Sequence, residues 1–264
     1  MPDSPIPVRG DNQAHLQSLQ QMKLQGDRLG SGYFLSLAPP PGWRYLLTMQ
    51  ESIQLGGIVL ATGYSTRMGI DQAMLPWPPR VSDTMEPSRQ TLLSAALVAF
   101  EPFTRLNVVV AGWNADGIAT SVGACGAYLV RNPTPERGQF SSLQFGLRAI
   151  LEHGCNAAMI TPVDCPPLCS ISLERLHSAF VRATAAGCWA VVPDHDGRHG
   201  HPLFASRSLI DAFLSAPFTG NAREVLHAFD SRVVYIPVSE PLAESGLNTP
   251  EEYATSAESA ISRI

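Results

Sequence analysis

The chain has 264 residues, of which 45% are hydrophobic, and a formal net charge of −5. This length and composition suit one α/β domain with a full core, and the acidic balance argues against binding to nucleic acid or a membrane surface. The five cysteines lack paired C-x-x-C spacing, which argues against a disulfide framework or a zinc site, and no apolar run is long enough to span a membrane. We therefore expect a cytoplasmic protein.

The first fifty-odd residues differ from the rest of the chain. They include the Gln-rich segment His15–Leu24 and the run Pro39–Pro41, and no convincing strand pattern precedes Gly57. We predict a loosely structured N-terminal extension over residues 1–54 and one folded domain over residues 55–264.

From Gly57 onward, strand-like and helix-like patterns alternate. Apolar strands separated by amphipathic helices predict a three-layer α/β fold, with a mostly parallel sheet, helices on both faces and ligands at the carboxyl ends of the strands. The predicted strands are Gly57–Ala61, Asn107–Ala111, Ala127–Arg131, Ala157–Pro162, Trp189–Pro193 and Val233–Pro237. The predicted helices are Thr91–Phe100, Ser141–Glu152, Ser172–Ala186, Arg207–Leu214 and Ala222–Phe229.

The first predicted strand, Gly57–Ala61, runs directly into a turn that contains Gly63, Ser65, Arg67 and Gly69. Glycines let the backbone approach a ligand closely, exposed N–H groups can face anionic oxygens, and an arginine adds a fixed positive charge. Neither the G-x-x-x-x-G-K-[ST] motif nor the G-x-G-x-x-G motif is present. The pattern indicates a phosphate-binding loop of another kind.

The stretch LATGYSTRMGIDQAMLPW, from Leu60 to Trp77, resembles the signature L-A-A-G-x-S-x-R-M-G-x-x-K-x-L-L-P of the MobA-like nucleotidyltransferases, particularly their molybdenum-cofactor cytidylyltransferase branch. The resemblance implies a Rossmann-like fold, with Arg67 in a catalytic role. Thr62 departs from the usual small residue, and Gln72 departs from the usual lysine. The resemblance implies nucleotide contacts from Leu60, Ala61, Thr62, Gly63, Ser65, Arg67 and Gln72.

A carboxylate follows the predicted strand Ala157–Pro162, because Asp164 stands before Cys165, Pro166 and Pro167. A hard oxygen ligand at a strand end suits Mg²⁺, although an aspartate before prolines is also an ordinary turn residue. The MobA-like family carries an aspartate in a D-x-P turn at this place. The resemblance therefore implies that Asp164 is a catalytic residue and a metal ligand.

A serine pair begins the next predicted helix. Ser141 or Ser142 would cap that helix, and a capped helix start presents free N–H groups to a ligand. The segment Gly138–Leu147 resembles the family element G-Q-x-x-S-L-x-x-G-L, which lies beside the nucleobase. Plain capping is the alternative interpretation, and both roles can hold together.

The segment around Gly200-His201-Pro202 matches the family element G-x-x-G-H-P, which implies that His201 and Pro202 line the second-substrate pocket. A metal site at His199 and His201 is the less favoured alternative. Arg223, in a segment that resembles the family's G-A-R helix start, is a further candidate for the substrate phosphate.

The last motif, Leu247–Tyr253, has a good helix start at Thr249 before Pro250 and two acids. It also resembles the family pattern [DN]-T-P-E-D-L, whose first residue supplies a metal ligand. Asn248 is the matching position, and its side-chain carbonyl oxygen is a legitimate hard ligand for Mg²⁺.

The resemblance covers about residues 56–256. It implies Mg²⁺-dependent transfer of an NMP, with CTP favoured as donor, onto a phosphate of molybdopterin, and it allows a molybdoenzyme as partner. Two alternatives stay open at this point. The acceptor could be a sugar phosphate or another small phosphate, or the chain could be a catalytically impaired nucleotide-binding or molybdoenzyme-assembly protein, which the neutral Gln72 favours.

Overall fold

The computed structural model describes residues 52–62, 69–79, 88–240 and 246–261, the last five of them by backbone only. These residues belong to one unit, Ser52–Ile264. The proposed extension over residues 1–54 lies outside them except for its last three residues, so its loose structure stays a prediction. The Gln54 N–H donates to Asn156 Oδ1 at 2.8 Å, and the Asn156 N–H donates to the Gln54 carbonyl at 3.0 Å. These two hydrogen bonds attach the chain to the core just before the first strand.

Within the described residues, eight strands form one sheet in the order β3-β2-β1-β4-β7-β5-β6, with β8 paired to β5. β1 is parallel to β2 and β4, β2 to β3, and β5 to β8, whereas β7 is antiparallel to β4 and β5, and β6 is antiparallel to β5. The predicted mostly parallel sheet is confirmed. The strands are β1 Leu55–Ala61, β2 Leu106–Ala111, β3 Tyr128–Arg131, β4 Ala157–Pro162, β5 Ala190–His195, β6 Arg198–His199, β7 Leu203–Ala205 and β8 Val233–Pro237.

Helices cover both faces of the sheet, which confirms the predicted three-layer fold. Adjacent residues of a strand point to opposite faces, so Val59 packs in one apolar cluster with helices α1 and α4, while Ile58 packs in the other with α3 and α5. The helices are α1 Leu92–Phe100, α2 Ala115–Ala124, α3 Gln139–Glu152, α4 Ser170–Ala185, α5 Arg207–Ser215, α6 Ala222–Ala228 and α7 Pro250–Ile261. None of the helices in the described ranges has the length and apolarity needed to cross a membrane.

Candidate active site

The ends of β1 and β2 are tied together at the carboxyl edge of the sheet. Asn114, just after β2, donates its Nδ2 to the Ala61 carbonyl at 2.8 Å and to Asp71 Oδ2 at 2.7 Å. Asp71 lies beyond the predicted phosphate loop, so this bridge fixes the residue at which the chain leaves that loop. Residues 63–68 are outside the described residues, and the roles of Gly63, Ser65 and Arg67 stay predictions.

Gln72 occupies a buried position at the start of the short turn Gln72–Met74. Asp71 Oδ1 accepts a hydrogen bond from the Ala73 N–H at 3.0 Å, which anchors the turn. Gln72 is 5% exposed, and its Nε2 donates to the Leu247 carbonyl at 2.7 Å. The side-chain nitrogen predicted to meet nucleotide phosphates therefore binds a backbone carbonyl distant in sequence.

The structure brings together the two predicted metal-ligand segments. The Leu247 N–H donates to the Asp164 carbonyl at 2.8 Å, which places Asn248 one residue away from that contact. Gly246 lies even closer to the aspartate side chain. A Cβ built on it would stand 2.1 Å from Asp164 Oδ2.

The Asp164 carboxylate is partly buried. Burial raises the pKa of its carboxyl above the usual value of 3.8, and a hydrogen bond from its own backbone lowers that pKa by less. No ion pair to Asp164 occurs in the described part of the chain. A partly desolvated carboxylate is a suitable ligand for a divalent metal ion.

Asn248 is held at the start of α7. Its N–H donates to Glu252 Oε2 at 2.7 Å, and Glu252 in turn donates its own N–H to Thr249 Oγ1 at 3.2 Å. The Thr249 N–H also donates to Glu252 Oε2 at 3.1 Å, and this reciprocal capping between Thr249 and Glu252 confirms Thr249 as the predicted helix start. The Asn248 Nδ2 donates to the Gly246 carbonyl at 3.4 Å, so this side chain also braces the glycine that contacts Asp164.

The donor set fits one class of metal. The described ranges contain no group of three or more His, Cys, Asp or Glu residues that could hold a metal ion. One carboxylate and one amide oxygen leave most of a coordination sphere to phosphate oxygens and water, which is how Mg²⁺ is usually bound at triphosphates. Asp164 and Asn248 therefore fit a cation that is bound together with the substrate, whereas the described ranges bring no third such ligand to His199 and His201.

A buried polar network links three elements of this edge. Asn132, after β3, donates Nδ2 to Ser141 Oγ at 3.0 Å and to Ser142 Oγ at 2.9 Å. The Ser142 hydroxyl donates to Thr62 Oγ1 at 3.2 Å. The larger residue at position 62 thus connects the end of β1 to α3.

The predicted capping role of the serine pair is wrong. Helix α3 begins at Gln139 with Gly138 as its N-cap, at φ +92°, and Ser141 and Ser142 lie fully buried inside its first turns. The Ser141 hydroxyl donates back to the Gly138 carbonyl at 2.8 Å. Gly138 can adopt the positive φ of this cap because it has no Cβ, whereas other residues would be strained there. The nucleotide contacts of Ser141 and Ser142 stay predictions.

His201 and Pro202 lie at the same edge because β7 is antiparallel to β4, which places the residues that precede β7 beside the end of β4. Burial lowers the pKa of His201 to about 4, although a hydrogen bond with the Ile160 backbone opposes the shift. The imidazole is therefore neutral at pH 7. Its Nδ1 is buried and has no hydrogen-bond partner in the described residues.

Arg223 is exposed at the start of α6, and the structure does not connect its side chain to Asp164 or His201 through any described hydrogen bond or ion pair. Its N–H donates to Asn221 Oδ1 at 2.9 Å, so Asn221, in place of the family glycine, acts as the helix cap. Its phosphate contact stays a prediction.

Sequence reasoning missed Glu240, which is 7% exposed. Its Oε1 accepts from the Cys169 N–H at 3.1 Å and its Oε2 from the Ser172 hydroxyl at 2.7 Å. Burial alone would raise the pKa of this carboxyl, but hydrogen bonds from Cys169 and Ser172 hold it at about 2. Glu240 thus fixes the start of α4, a few residues beyond Asp164. No motif marks it, since its partners are distant in sequence.

The chain is similar in sequence to known proteins. Residues 57–233 match the MobA-like NTP transferase domain. The chain is 23% identical over 202 residues to the molybdenum cofactor cytidylyltransferase of Escherichia coli, covering 76% of this chain and 94% of that protein. It is 30% identical over 201 residues to a probable molybdenum cofactor guanylyltransferase of Mycolicibacterium paratuberculosis, covering 74% and 92%.

The fold is also found in a crystal structure of a Mycobacterium tuberculosis protein solved as a manganese complex. That structure superposes with a TM-score of 0.56 and 18% identity, over 78% of this chain and 98% of that one. This similarity shows that the two proteins share a fold.

Proposed function

The chain belongs to the MobA-like NTP transferase family and is a nucleotidyltransferase. From that premise, we propose that it transfers CMP from CTP onto a phosphate of molybdopterin and releases pyrophosphate. The observation that carries the proposal is the meeting of Asp164 with the segment Gly246–Asn248 at the edge where β1 and β4 end. A molybdoenzyme is the proposed recipient of the product.

The proposed reaction forms one bond and breaks one. An oxygen of the acceptor phosphate attacks the α-phosphorus of CTP, the bond from that phosphorus to the bridging oxygen breaks, and the electron pair leaves with pyrophosphate. The protein's part in such a transfer is mainly to position groups and stabilise charge. Arg67 would counter the negative charge that develops toward the leaving group.

Asp164 and Asn248 would hold a divalent cation, for which we propose Mg²⁺. When bound, such an ion would neutralise negative charge on the phosphates. The burial that raises the pKa of Asp164 makes a cation at this position favourable, because the carboxylate has lost part of its hydration. The neutral His201 would face the acceptor from the antiparallel side of the site.

Two nucleotides are candidates for the donor, CTP and GTP. CTP is favoured by the resemblance of Leu60–Trp77 to the cytidylyltransferase branch of the family and by the relative from Escherichia coli. GTP is the second candidate, because the relative from Mycolicibacterium paratuberculosis is a probable guanylyltransferase.

The test measures pyrophosphate release with each of CTP, GTP, ATP and UTP, with Mg²⁺ or Mn²⁺, and with molybdopterin or a sugar phosphate as acceptor. Release with CTP and molybdopterin alone supports the proposal. Release only with a sugar phosphate would replace the acceptor, and release only with GTP would replace the donor. NTP binding without release under every condition would favour the impaired binding protein instead.

A further inference from the structure

Gln72 hydrogen-bonds a backbone carbonyl, a contact that is not needed if its side chain serves only to bind nucleotide phosphates. Its side chain is buried, and its Nε2 is 2.7 Å from the Leu247 carbonyl. The turn that carries it is itself fixed, since Asp71 binds both the Ala73 N–H and the Asn114 amide. Gln72 therefore links the turn after the predicted phosphate loop to the segment that precedes α7.

Leu247 is held from two directions. Its carbonyl accepts from Gln72, its N–H donates to the Asp164 carbonyl at 2.8 Å, and its side chain is 5% exposed. The peptide group whose carbonyl accepts from Gln72 is the one that joins Leu247 to Asn248. The hydrogen bond from Gln72 thus orients the peptide plane that leads directly into the second proposed metal ligand.

The chemistry of a primary amide suits this task. It donates to a carbonyl without bringing a charge into a buried position, whereas a buried ammonium group would lose its hydration. Loss of the donor would leave the Leu247 carbonyl with one partner fewer in a buried setting, and the segment would relax toward another position.

We propose that Gln72 is a positioning residue for the metal-ligand pair, which sets where Asn248 stands relative to Asp164 by holding the Leu247 carbonyl. The inference rests on the proposed function, because that function supplies the metal role of Asp164 and Asn248. It differs from the sequence-based hypothesis, in which Gln72 meets nucleotide phosphates in place of a lysine.

The test compares Gln72→Met, which keeps the length of the side chain but removes the donor, with the wild-type protein. Mn²⁺ affinity is measured by electron paramagnetic resonance of the free ion, and metal-free CTP affinity by calorimetry. We expect Gln72→Met to weaken Mn²⁺ binding about tenfold, which corresponds to about 1.4 kcal/mol, while metal-free CTP affinity stays within about twofold.

Gln144→Met is the matched control. Gln144 is also fully buried, and its Nε2 donates to the backbone carbonyls of Phe213 at 2.6 Å and Ala216 at 2.8 Å, away from Asp164. The variant Gln144→Met should lower the melting temperature of the protein without changing its Mn²⁺ affinity. Equal Mn²⁺ losses in both variants would reduce Gln72 to a general packing role and overturn the proposal.

Gln72→Lys separates the two hypotheses. A missing phosphate charge would make this variant release pyrophosphate at least about tenfold faster, whereas a positioning role predicts no gain. A tenfold gain, a loss of metal-free CTP affinity in Gln72→Met, or a wild-type protein that binds no Mn²⁺ would each overturn the inference. If no NTP is turned over but Gln72→Met still weakens Mn²⁺ binding, the transferase proposal fails and the positioning role stands.

Discussion

Gly246 lies against the Asp164 carboxylate so closely that an added methyl group would stand 2.1 Å from Oδ2. Its φ of +67° is also a conformation that L side chains rarely adopt. Two independent reasons therefore require glycine at this position, and only one of them concerns the active site. The two can be separated by experiment.

Gly246→Ala should lose both stability and metal binding. The control is Gly126→Ala, because Gly126 has a φ of +68° but nothing within 4 Å of an added Cβ. Both variants should lose about 1–2 kcal/mol of unfolding free energy to the left-handed conformation. Only Gly246→Ala should displace the carboxylate and reduce the rise in melting temperature with Mn²⁺. An equal Mn²⁺ response in the two variants would contradict the proximity argument.

Asp164→Asn should stabilise the metal-free protein at pH 7. Because the folded-state pKa of Asp164 is raised above 3.8, the folded protein takes up this proton more readily than the unfolded chain. The associated stability is present at low pH and is lost as the pH rises through the folded pKa. The neutral amide removes that loss, so the gain should be visible at pH 7 and absent below pH 3.8.

The same variant should no longer be stabilised by Mg²⁺ or Mn²⁺, and its metal-dependent NTP binding should fall below detection. Melting curves at several pH values, with and without metal, measure both effects. A wild-type response to metal in Asp164→Asn would remove Asp164 from the metal site.

Arg67→Ala should weaken triphosphate binding by about 1.5–3 kcal/mol, the usual range for a hydrogen bond to a charged group. Arg207→Ala provides the comparison, because Arg207 is an exposed arginine that pairs with Asp211 on α5, and such a pair contributes little. Calorimetric titration with CTP measures both variants. Equal affinities would assign Arg67 to the solvated surface.

A chain that begins at Met49 should fold with an unchanged melting temperature. It retains the segment Ser52–Gln54, whose Gln54 backbone exchanges hydrogen bonds with Asn156. A chain that begins at Leu55 lacks these contacts and should melt several degrees lower. If the chain from Met49 already melts several degrees below the full-length protein, earlier residues contribute to the core.

Glu240→Gln should change the acid stability of the protein. The pKa of Glu240 is lowered from 4.5 to about 2, so its contribution is present above pH 4.5 and is lost as the pH falls toward 2. A shift of this size corresponds to at most about 3 kcal/mol. Urea midpoints at pH 7, 5 and 3 should therefore fall less steeply for the variant than for the wild type. Parallel curves would contradict the assignment.

The local features of this chain were predictable from sequence because each depends on neighbouring residues. The apolar run that forms β1 and the Thr249 cap of α7 follow from side-chain pattern and capping chemistry. Helix α2 was missed because its sequence ADGIATSVGA has two glycines and a weak apolar face. β7 was missed because three residues are too short to show an alternating pattern.

The contacts that assemble the site could not be predicted in this way. Gln72 meets Leu247 across 175 positions, and Thr62 meets Ser142 across 80. No local pattern encodes such pairings, because they depend on which strand ends become neighbours in the finished sheet. Sequence reasoning could name Asp164 and Asn248 as a pair only through a family resemblance, whereas the structure supplies the backbone contact that joins their segments.

The proposed acceptor side and the proposed nucleotide side of the site are built on different parts of the sheet, because β7 runs antiparallel to β4. The proposed nucleotide side is built on parallel strands, in which a change of register would move every residue of the edge. The corner Gly200–Pro202 instead belongs to the connection between β6 and β7, outside those parallel pairs. Substitutions in that connection can therefore accumulate without re-pairing β1, β2 or β4, so the proposed acceptor side can change in sequence while the proposed nucleotide side keeps its geometry.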